Sequence, residues 1–448
     1  MKTILSHNNT SLAEQPVNKL FWHYTLPSVM AMLVNGLYST IDGIFIGQIV
    51  GQQGLAAINL VWPISGFIIG IGLMIGVGAS AQHSIFRGKG HDGKAKQMVG
   101  NALIILCISS LLLSIIIFIS SSSILSLIKA QGSLYAIAAS YLHYVGIGTF
   151  AALAGAALPM IVRNDERPYL ATGIIASGAI INIVLDYIII ARLRQGVPGA
   201  AIATIVAQLF TVLWCIVYLF SKKTKLRLKI KDLGFNFYYC QKILKTGLPS
   251  LMMSMYLSFV LVVHNRLFLT YGSTVSVAAF AIVGYIQVIY YMVSEGIANG
   301  MQPIVSFNMG AKNQKNMHTA LQLGVLTVLI SGIVIVVLID LWPDKVASLF
   351  IMSNVDLLAE TVRGLKLHLA TMYLEGFIVV VAAYFQALGN YKTAVCITMG
   401  SILLQIPLLM TLPKWLGLNG VWLALPISNV FLTILALVFI WQNVRNSL

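Results

Sequence analysis

The strongest constraint in this sequence is a succession of about twelve long apolar stretches that cover most of the chain. One of them, residues 101–120, contains no charged residue. A transmembrane helix needs about 20 consecutive apolar residues, and only 9% of this chain is charged, against about 25% in soluble domains. An ordinary soluble enzyme is therefore excluded. We predict spans at about 20–48, 55–85, 98–121, 134–162, 168–191, 198–221, 246–271, 277–306, 320–341, 365–387, 393–412 and 418–441.

The basic residues indicate how these spans are oriented. If the N-terminus is cytoplasmic, 20 of the 28 Lys and Arg residues fall in cytoplasmic segments and seven fall outside. Cytoplasmic loops of membrane proteins carry such an excess of Lys and Arg, so we predict that both termini are cytoplasmic. The net charge of +15 then reflects topology and contact with anionic membrane lipids, and we expect no nucleic-acid partner.

The second half of the chain repeats the first at an offset of about 222 residues. The tripeptide Leu-Pro-Ser occurs at 26–28 and again at 248–250, and Gly88 matches Gly310. Further glycines follow the same order, with Gly72 and Gly76 matched to Gly296 and Gly300. Each half holds six spans, so both halves enter the membrane from the same side.

This repeat predicts an all-α polytopic membrane protein of twelve transmembrane helices. Two six-helix lobes should be related by a pseudo-two-fold axis along the membrane normal, with a substrate path between them. We expect the lobes at 1–221 and 246–448, joined by a basic cytoplasmic linker at 222–245. The chain contains no HExxH, GxSxG or P-loop motif, so we predict a transporter and not an enzyme.

Polar residues inside the spans of the first half form a group that the second half lacks. Asp42 matches His264 in the repeat, and Asp186 matches a leucine. Asn182 lies one helical turn before Asp186, on the same face, and Thr204 follows in the next span. Ionisable residues inside a membrane are costly and usually functional. These oxygens could bind Na⁺, the carboxylates could instead carry H⁺, or the group could be a hydrogen-bond network that only holds the lobe together.

A second set of polar residues is a candidate substrate site. A carboxylate in an apolar cavity with aromatic walls would attract a lipophilic cation, and Glu295 stands alone in the eighth span. The alternative is a hydrogen-bonded structural acid, and this alternative is stronger for Glu375. The predicted substrate-binding residues are Asn35 and Tyr38, on the face of Asp42, and Gln287, Tyr291, Glu295 and Glu375.

Pro27 and its repeat partner Pro249 lie near the start of equivalent spans. A proline in the first turn of a helix costs little. A proline at such a place could also be a bend in a moving helix. The sequence leaves both interpretations open, and Pro27 is the predicted hinge.

Together these motifs resemble the multidrug and toxic compound extrusion (MATE) transporters, most of all their bacterial MepA-like branch. The most specific part is Asn-x-x-x-Asp at 182–186, followed by Gly-Ala-Ala at 199–201 and a threonine at 204. The resemblance extends from Leu20 to Trp441. Its longer motifs lie at 26–47, 76–90, 181–190, 196–208, 295–311 and 387–390.

The resemblance implies a multi-pass protein of the bacterial cytoplasmic (inner) membrane that functions as a monomer. It implies an antiporter that exchanges Na⁺ or H⁺ for lipophilic, mostly cationic drugs or dyes by rocking of the lobes, with no cofactor other than the coupling ion. It also places the family's cation site, a metal site if the ion is Na⁺, on Asp42, Asn182, Asp186 and Thr204, its bend at Pro27 and its eighth-span acid at Glu295.

One segment departs from the family pattern. At 163–168 the sequence reads Arg-Asn-Asp-Glu-Arg-Pro, where a small turn containing glycine is expected, as in Leu-Gly-Asn at 388–390. The fold prediction does not depend on this segment, but the contacts of the cytoplasmic loop do.

Two other classes of function remain as alternatives. A flippase for a lipid-linked sugar or another lipid would share the topology, but its cavity should carry cations for the phosphate group, whereas this chain offers acids. A passive receptor or scaffold would not need two buried carboxylates. The choice between Na⁺ and H⁺ stays open, since the same oxygens could serve either ion.

Overall fold

The computed structural model describes residues 12–127, 132–351 and 354–445. Within these ranges the protein is helical and has no β-strand. Two π-helical turns, Ile46–Val50 and Tyr187–Arg192, continue α1 and α5. The helices are α1 (Val17–Phe45), α2 (Gln52–Gly88), α3 (Asp92–Leu127), α4 (Gly132–Asn164), α5 (Pro168–Asp186), α6 (Gly196–Phe220), α7 (Phe237–Tyr271), α8 (Thr274–Gly310), α9 (Gln314–Leu341), α10 (Pro343–Ser348), α11 (Val355–His368), α12 (Met372–Ala387), α13 (Tyr391–Leu416) and α14 (Leu418–Arg445).

The helices confirm a multi-pass membrane protein with twelve spans. Eleven helical segments of the described chain are long and apolar enough to cross a membrane, and the pair α11 and α12 makes the twelfth. This pair bends by 47° at the break between His368 and Met372. The predicted span at 365–387 misses the bend, because the apolar sequence continues through it.

The ends of α2 and α8 meet in a reciprocal contact. A Cβ atom on Gly88 would collide with the carbonyl oxygen of Phe307, and one on Gly310 with the carbonyl oxygen of Ile85. Phe307 is the repeat partner of Ile85, so each half presents the same surface to the other, as a two-fold axis requires. The contact agrees with the predicted arrangement of two six-helix lobes around a pseudo-two-fold axis.

The repeat aligns Gly78, and not Gly76, with Gly300. A Cβ on Gly300 would collide with Thr25 in α1, and one on Gly78 would collide with the backbone of α7, which is the equivalent helix. Gly76 instead packs against the backbone of α4. The predicted match of Gly76 with Gly300 is therefore wrong by two residues, since the closely spaced glycines allow more than one alignment.

The first parts of α1 and α7 each pack into the core of the opposite lobe. Leu20, Phe21 and Tyr24 of α1 belong to the hydrophobic core of the second half. In the same way, Cys240 and Ile243 of α7 belong to the core of the first half. Because burial of apolar surface holds these segments in place, a rotation of one lobe against the other must bend or move α1 and α7.

The segment 222–245, predicted as a linker, is partly helical. The helix α7 begins at Phe237, where the side chain of Asn236 accepts hydrogen bonds from two backbone N–H groups, as an N-cap does. The sequence predicts the start of the seventh span at 246 because Lys242 and Lys245 interrupt the apolar sequence before it. The Nζ of Lys242 lies over the Phe86 ring, 4.9 Å from the ring centroid, which is a cation–π contact.

The unusual segment 163–168 forms a buried hydrogen-bond centre. The carboxylate of Asp165 accepts from Tyr218 Oη at 2.7 Å and from Thr224 Oγ1 at 2.6 Å. It also accepts from the backbone N–H groups of Lys225 at 3.2 Å and Leu226 at 3.0 Å. Asp165 is 1% exposed. The segment thus ties the end of α4 to α6 and to the chain that leads into α7.

Glu166 adds two ion pairs to this centre. Its carboxylate contacts Arg87 of α2 at 2.8 Å and also pairs with Lys225. Glu166 has φ 64°, in the left-handed region that favours glycine. The ion pairs therefore offset a local backbone cost at the position where the family pattern has a glycine turn.

Asp165→Ala should strongly destabilise the protein. The substitution removes the acceptor of two buried hydroxyl groups and of the Lys225 N–H, while the Leu226 N–H keeps Thr224 Oγ1 as an acceptor at 2.9 Å. Hydrogen bonds to a charged group contribute about 1.5–3 kcal/mol each. We expect the midpoint of thermal unfolding in detergent to fall by several degrees, and Asp165→Asn, which keeps one acceptor oxygen, to fall less. Asp340 is exposed, so Asp340→Ala is the matched control. Equal midpoints for Asp165→Ala and Asp340→Ala would contradict this role.

Candidate functional site

The four predicted cation ligands are brought together by α1, α5 and α6. Asn182 Nδ2 lies 3.5 Å from Thr204 Oγ1, which joins α5 to α6. Asp186, one turn after Asn182, is 0% exposed. The charge of Asp42, on α1, acts on Asp186. We call these four residues the acid group.

Most oxygens of the acid group have no donor. Asp42 Oδ1, Asn182 Oδ1 and both carboxylate oxygens of Asp186 are buried without a hydrogen-bond partner among the described residues. Buried acceptors of this kind are rare because their desolvation is not compensated. A network that only held the lobe together would satisfy them, so the arrangement favours a site that takes up a cation or a proton.

A cavity of about 240 Å³ lies next to Asn182 and Thr204 of the acid group, lined mainly by the first lobe, with Met292 and Glu295 from the second. It is lined by small and apolar side chains, among them three methionines from α1, α4 and α8, which suit a site for ligands of varied shape. The structure brings several predicted residues from both halves of the chain to this cavity. They are Asn35, Tyr38, Asn182, Thr204 and Glu295.

A second cavity of about 160 Å³ lies on the side of the second lobe. Glu295 and the predicted residue Tyr291 line it, and Glu295 is thus common to both cavities. Sequence reasoning missed Asn299 and Gln302, which also line the second cavity. Their spacing of four and seven residues after Glu295 puts them on the same helix face, and this periodicity was the signal that could have found them.

Glu375 and Gln287 contact each other instead of the cavities. Gln287 Nε2 donates to the two carboxylate oxygens of Glu375 at 3.0 and 3.2 Å. Neither residue belongs to the described lining of the two cavities. A buried acid with its own donor matches the structural alternative that the sequence left open for Glu375.

Pro27 lies well inside α1, which begins at Val17, so the first-turn interpretation is wrong. A proline at this place has no N–H to donate to the carbonyl of His23, which weakens the helix locally. Thr172 Oγ1 of α5 donates to the carbonyl of Pro27 at 2.7 Å. The helix that carries Asp42 can therefore bend at a point that is tied to α5.

At the position that matches Asp42, the second lobe has a histidine that packs among aromatic side chains. His264, the repeat partner of Asp42, is 0% exposed and stacks on Phe280 with 5.1 Å between the ring centroids. His368 packs edge-on against His264 at 5.7 Å. The asymmetry of the sequence repeat is thus also an asymmetry of the two lobes.

A model of the MatE family matches residues 27–188 and 249–411 of the chain. The two matched segments begin 222 residues apart and together cover well over half of the sequence. The chain belongs to the MatE family. The two segments also reproduce the internal repeat.

Curated relatives and a solved structure resemble this MatE chain over nearly its whole length. The multidrug export protein MepA of Staphylococcus aureus strain MSSA476 is 24% identical over 431 residues, which are 96% of this chain and 94% of the relative. MepA of Staphylococcus haemolyticus strain JCSC1435 is 24% identical over 435 residues, 97% and 95% of the two chains. The structure of a MATE family transporter of the MOP superfamily in an outward-facing conformation is 25% identical, covers 97% of each chain and has a TM-score of 0.90. The predicted resemblance to MepA-like MATE transporters is confirmed.

The two lobes of this MatE protein are closed against each other on one side, where α2 and α8 end. There, Asn164 Nδ2 of the first lobe donates to Gln302 Oε1 of the second at 2.9 Å. Gln82 Nε2 donates to Thr246 Oγ1 at 2.8 Å. We call this the closed side. Asp42 lies near the far end of α1, towards the opposite side.

Proposed function

We propose that this protein is a secondary active multidrug efflux transporter that exchanges H⁺ or Na⁺ for lipophilic, mostly cationic drugs by alternating access. The observation that carries the proposal is the acid group: four of its oxygens have no partner among the described residues, and its members Asn182 and Thr204 line a cavity that Glu295 also lines. Membership of the MatE family and the export function named in the MepA relatives support it.

The first helix links the ion to the drug. Asn35 and Tyr38 of this helix line the cavity, and Asp42 belongs to the acid group. Pro27 lets the helix bend between its first part, which packs in the core of the second lobe, and the part that carries Asp42. A ligand shifts a conformational equilibrium only through different affinities for the two states. Ion uptake at Asp42 and Asp186 therefore changes the packing of α1 and favours the state that releases the drug.

The proposed setting is the cytoplasmic membrane of a bacterium, with both termini cytoplasmic and the protein acting as a monomer. The distribution of Lys and Arg residues supports this orientation. The proposed lobes are 1–221 and 246–448, with the linker at 222–245. The closed side is then cytoplasmic, and the cavity serves release to the outside.

The flippase alternative has less support. The described residues that line the two cavities include Glu295 but no Lys or Arg. A phosphate headgroup would need positive charge there, whereas a carboxylate attracts a cation.

Transport in liposomes tests the proposal. Purified protein is reconstituted with a fluorescent cationic dye, and a pH gradient and a Na⁺ gradient are applied in separate experiments. We expect at least one of the two gradients to drive dye movement, and the effective gradient identifies the coupling ion. Dye movement that is the same with and without either gradient would contradict secondary active transport.

A further inference from the structure

Arg163, at the end of α4, is a buried cation without an acid in direct contact. The side chain is 1% exposed, and its Nη1 lies 3.1 Å from Met160 Sδ. Its Nε and Nη2 have no acceptor among the described residues. Buried guanidinium groups are normally paired, because an unpaired buried charge is strongly destabilising. The charge of Arg163 must therefore be compensated at longer range.

The position of Arg163 identifies the compensating group. Met160, its contact, lines the larger cavity together with Glu295. Asn164, the next residue, donates to Gln302, which lies two turns after Glu295 on α8 and lines the smaller cavity. Arg163 thus lies behind the part of the cavity wall that α4 forms, whereas Glu295 lines the same cavity from α8 in the other lobe.

The electrostatics agree with this geometry. Glu295 and Arg163 are close enough to each other for an electrostatic interaction. The described ion pairs within 4.0 Å do not include these two residues. The carboxylate therefore faces the cavities, while the guanidinium is set back in the opposite lobe.

We propose that Arg163 is the resident counter-ion of Glu295 and that the two residues together set the charge selectivity of the cavities. This inference rests on the proposed function. A lipophilic cation that binds at Glu295 takes over part of the compensation that Arg163 provides, so Arg163 lowers the affinity of the site and eases release. Without Glu295, the charge of Arg163 has no counter-ion beside the cavities, and the cavities prefer an anion.

Two ions of equal shape and opposite charge test this selectivity. Tetraphenylphosphonium and tetraphenylborate have nearly the same size, so a difference in their binding reports charge alone. We expect the wild-type protein to prefer the cation in equilibrium dialysis, with protein-free detergent micelles as the blank. Glu295→Gln should lose roughly tenfold in affinity for the cation and gain roughly tenfold for the anion, where tenfold corresponds to about 1.4 kcal/mol.

The Arg163 variants complete the test. Arg163→Gln should bind the cation more tightly than the wild type, and Arg163→Lys, which keeps the charge, should resemble the wild type. The double variant Arg163→Gln with Glu295→Gln should lose the anion preference of Glu295→Gln alone. Asp340→Asn, at an exposed position, changes the net charge in the same way as Glu295→Gln and should leave both affinities unchanged.

The outcomes separate this inference from the proposed function. Cation binding by the wild type, without a gain of anion binding in Glu295→Gln, would overturn the role of Arg163 and leave the transporter proposal standing. Anion binding that persists in the double variant would overturn it as well. A wild-type protein that binds no lipophilic cation would overturn both. If Arg163→Gln does not fold, the anion test on Glu295→Gln and the Arg163→Lys comparison still decide.

Discussion

Asp186→Asn should reduce gradient-driven efflux of a cationic dye to the level of protein-free liposomes. The amide has nearly the shape of the carboxylate but carries no charge and cannot take up a proton at neutral pH. Asp186 is 0% exposed, and its two unpartnered oxygens are central to the acid group. Neither Na⁺ nor H⁺ can then be exchanged there, and the lobes lose the ligand that shifts their equilibrium.

Asp42→Asn should have the same effect, because Asp42 Oδ1 is one of the buried, unpartnered oxygens of the acid group. Efflux is measured in liposomes with equal amounts of folded protein, which size-exclusion chromatography verifies. Asp340→Asn, at an exposed position, is the control and should transport normally. Normal transport by both Asp42→Asn and Asp186→Asn would remove the acid group from the mechanism.

Thr204→Val separates the two possible ions. The Thr204 hydroxyl donates to the carbonyl of Ala200 at 3.0 Å and lies near Asn182, so its oxygen is available as a neutral ligand. A Na⁺ site loses one of its oxygens in this variant, and we expect the Na⁺ concentration for half-maximal efflux to rise several-fold. A proton needs only the carboxylates, and H⁺-driven efflux should change little.

The number of spans and the repeat could be predicted from the sequence because both depend on local properties. An apolar stretch of about 20 residues, as at 101–120, is sufficient for a span. The start of α7 at Phe237 could not be predicted in this way, since Lys242 and Lys245 interrupt the apolar pattern. The bend between His368 and Met372 depends on packing and leaves no mark in composition.

The acid group could also be predicted, because Asp42 and Asp186 stand out in apolar spans and have no acidic repeat partner. Contacts between residues distant in sequence could not be predicted. Glu375 is satisfied by Gln287, and this pairing depends on how α8 and α12 pack. The same holds for Arg163 and Glu295, whose helices belong to different lobes.

Gly310→Val should stop transport without preventing membrane insertion. A Cβ on Gly310 would collide with the carbonyl oxygen of Ile85 and lie 2.9 Å from the Cα of Gly88. Both obstacles are backbone atoms of α2, which cannot rotate away as a side chain can. The lobes therefore cannot close on this side, and the population shifts to states in which the closed side is open. Alternating access requires both states, so dye efflux should fall to background.

Thiol labelling detects this shift. Thr246 is 2% exposed and is bonded to Gln82 across the lobes, so a cysteine placed there, with the four native cysteines replaced, is protected while the closed side stays closed. We expect Gly310→Val to expose this thiol to a water-soluble maleimide. Gly284→Val is the matched control, because it lies in the same helix and a Cβ there meets nothing within 4 Å. A thiol that stays protected in Gly310→Val, together with normal efflux, would mean that the contact of Gly88 with Gly310 does not govern closure. An exposed thiol and lost efflux in Gly310→Val alone would identify this glycine pair as the steric requirement for closure.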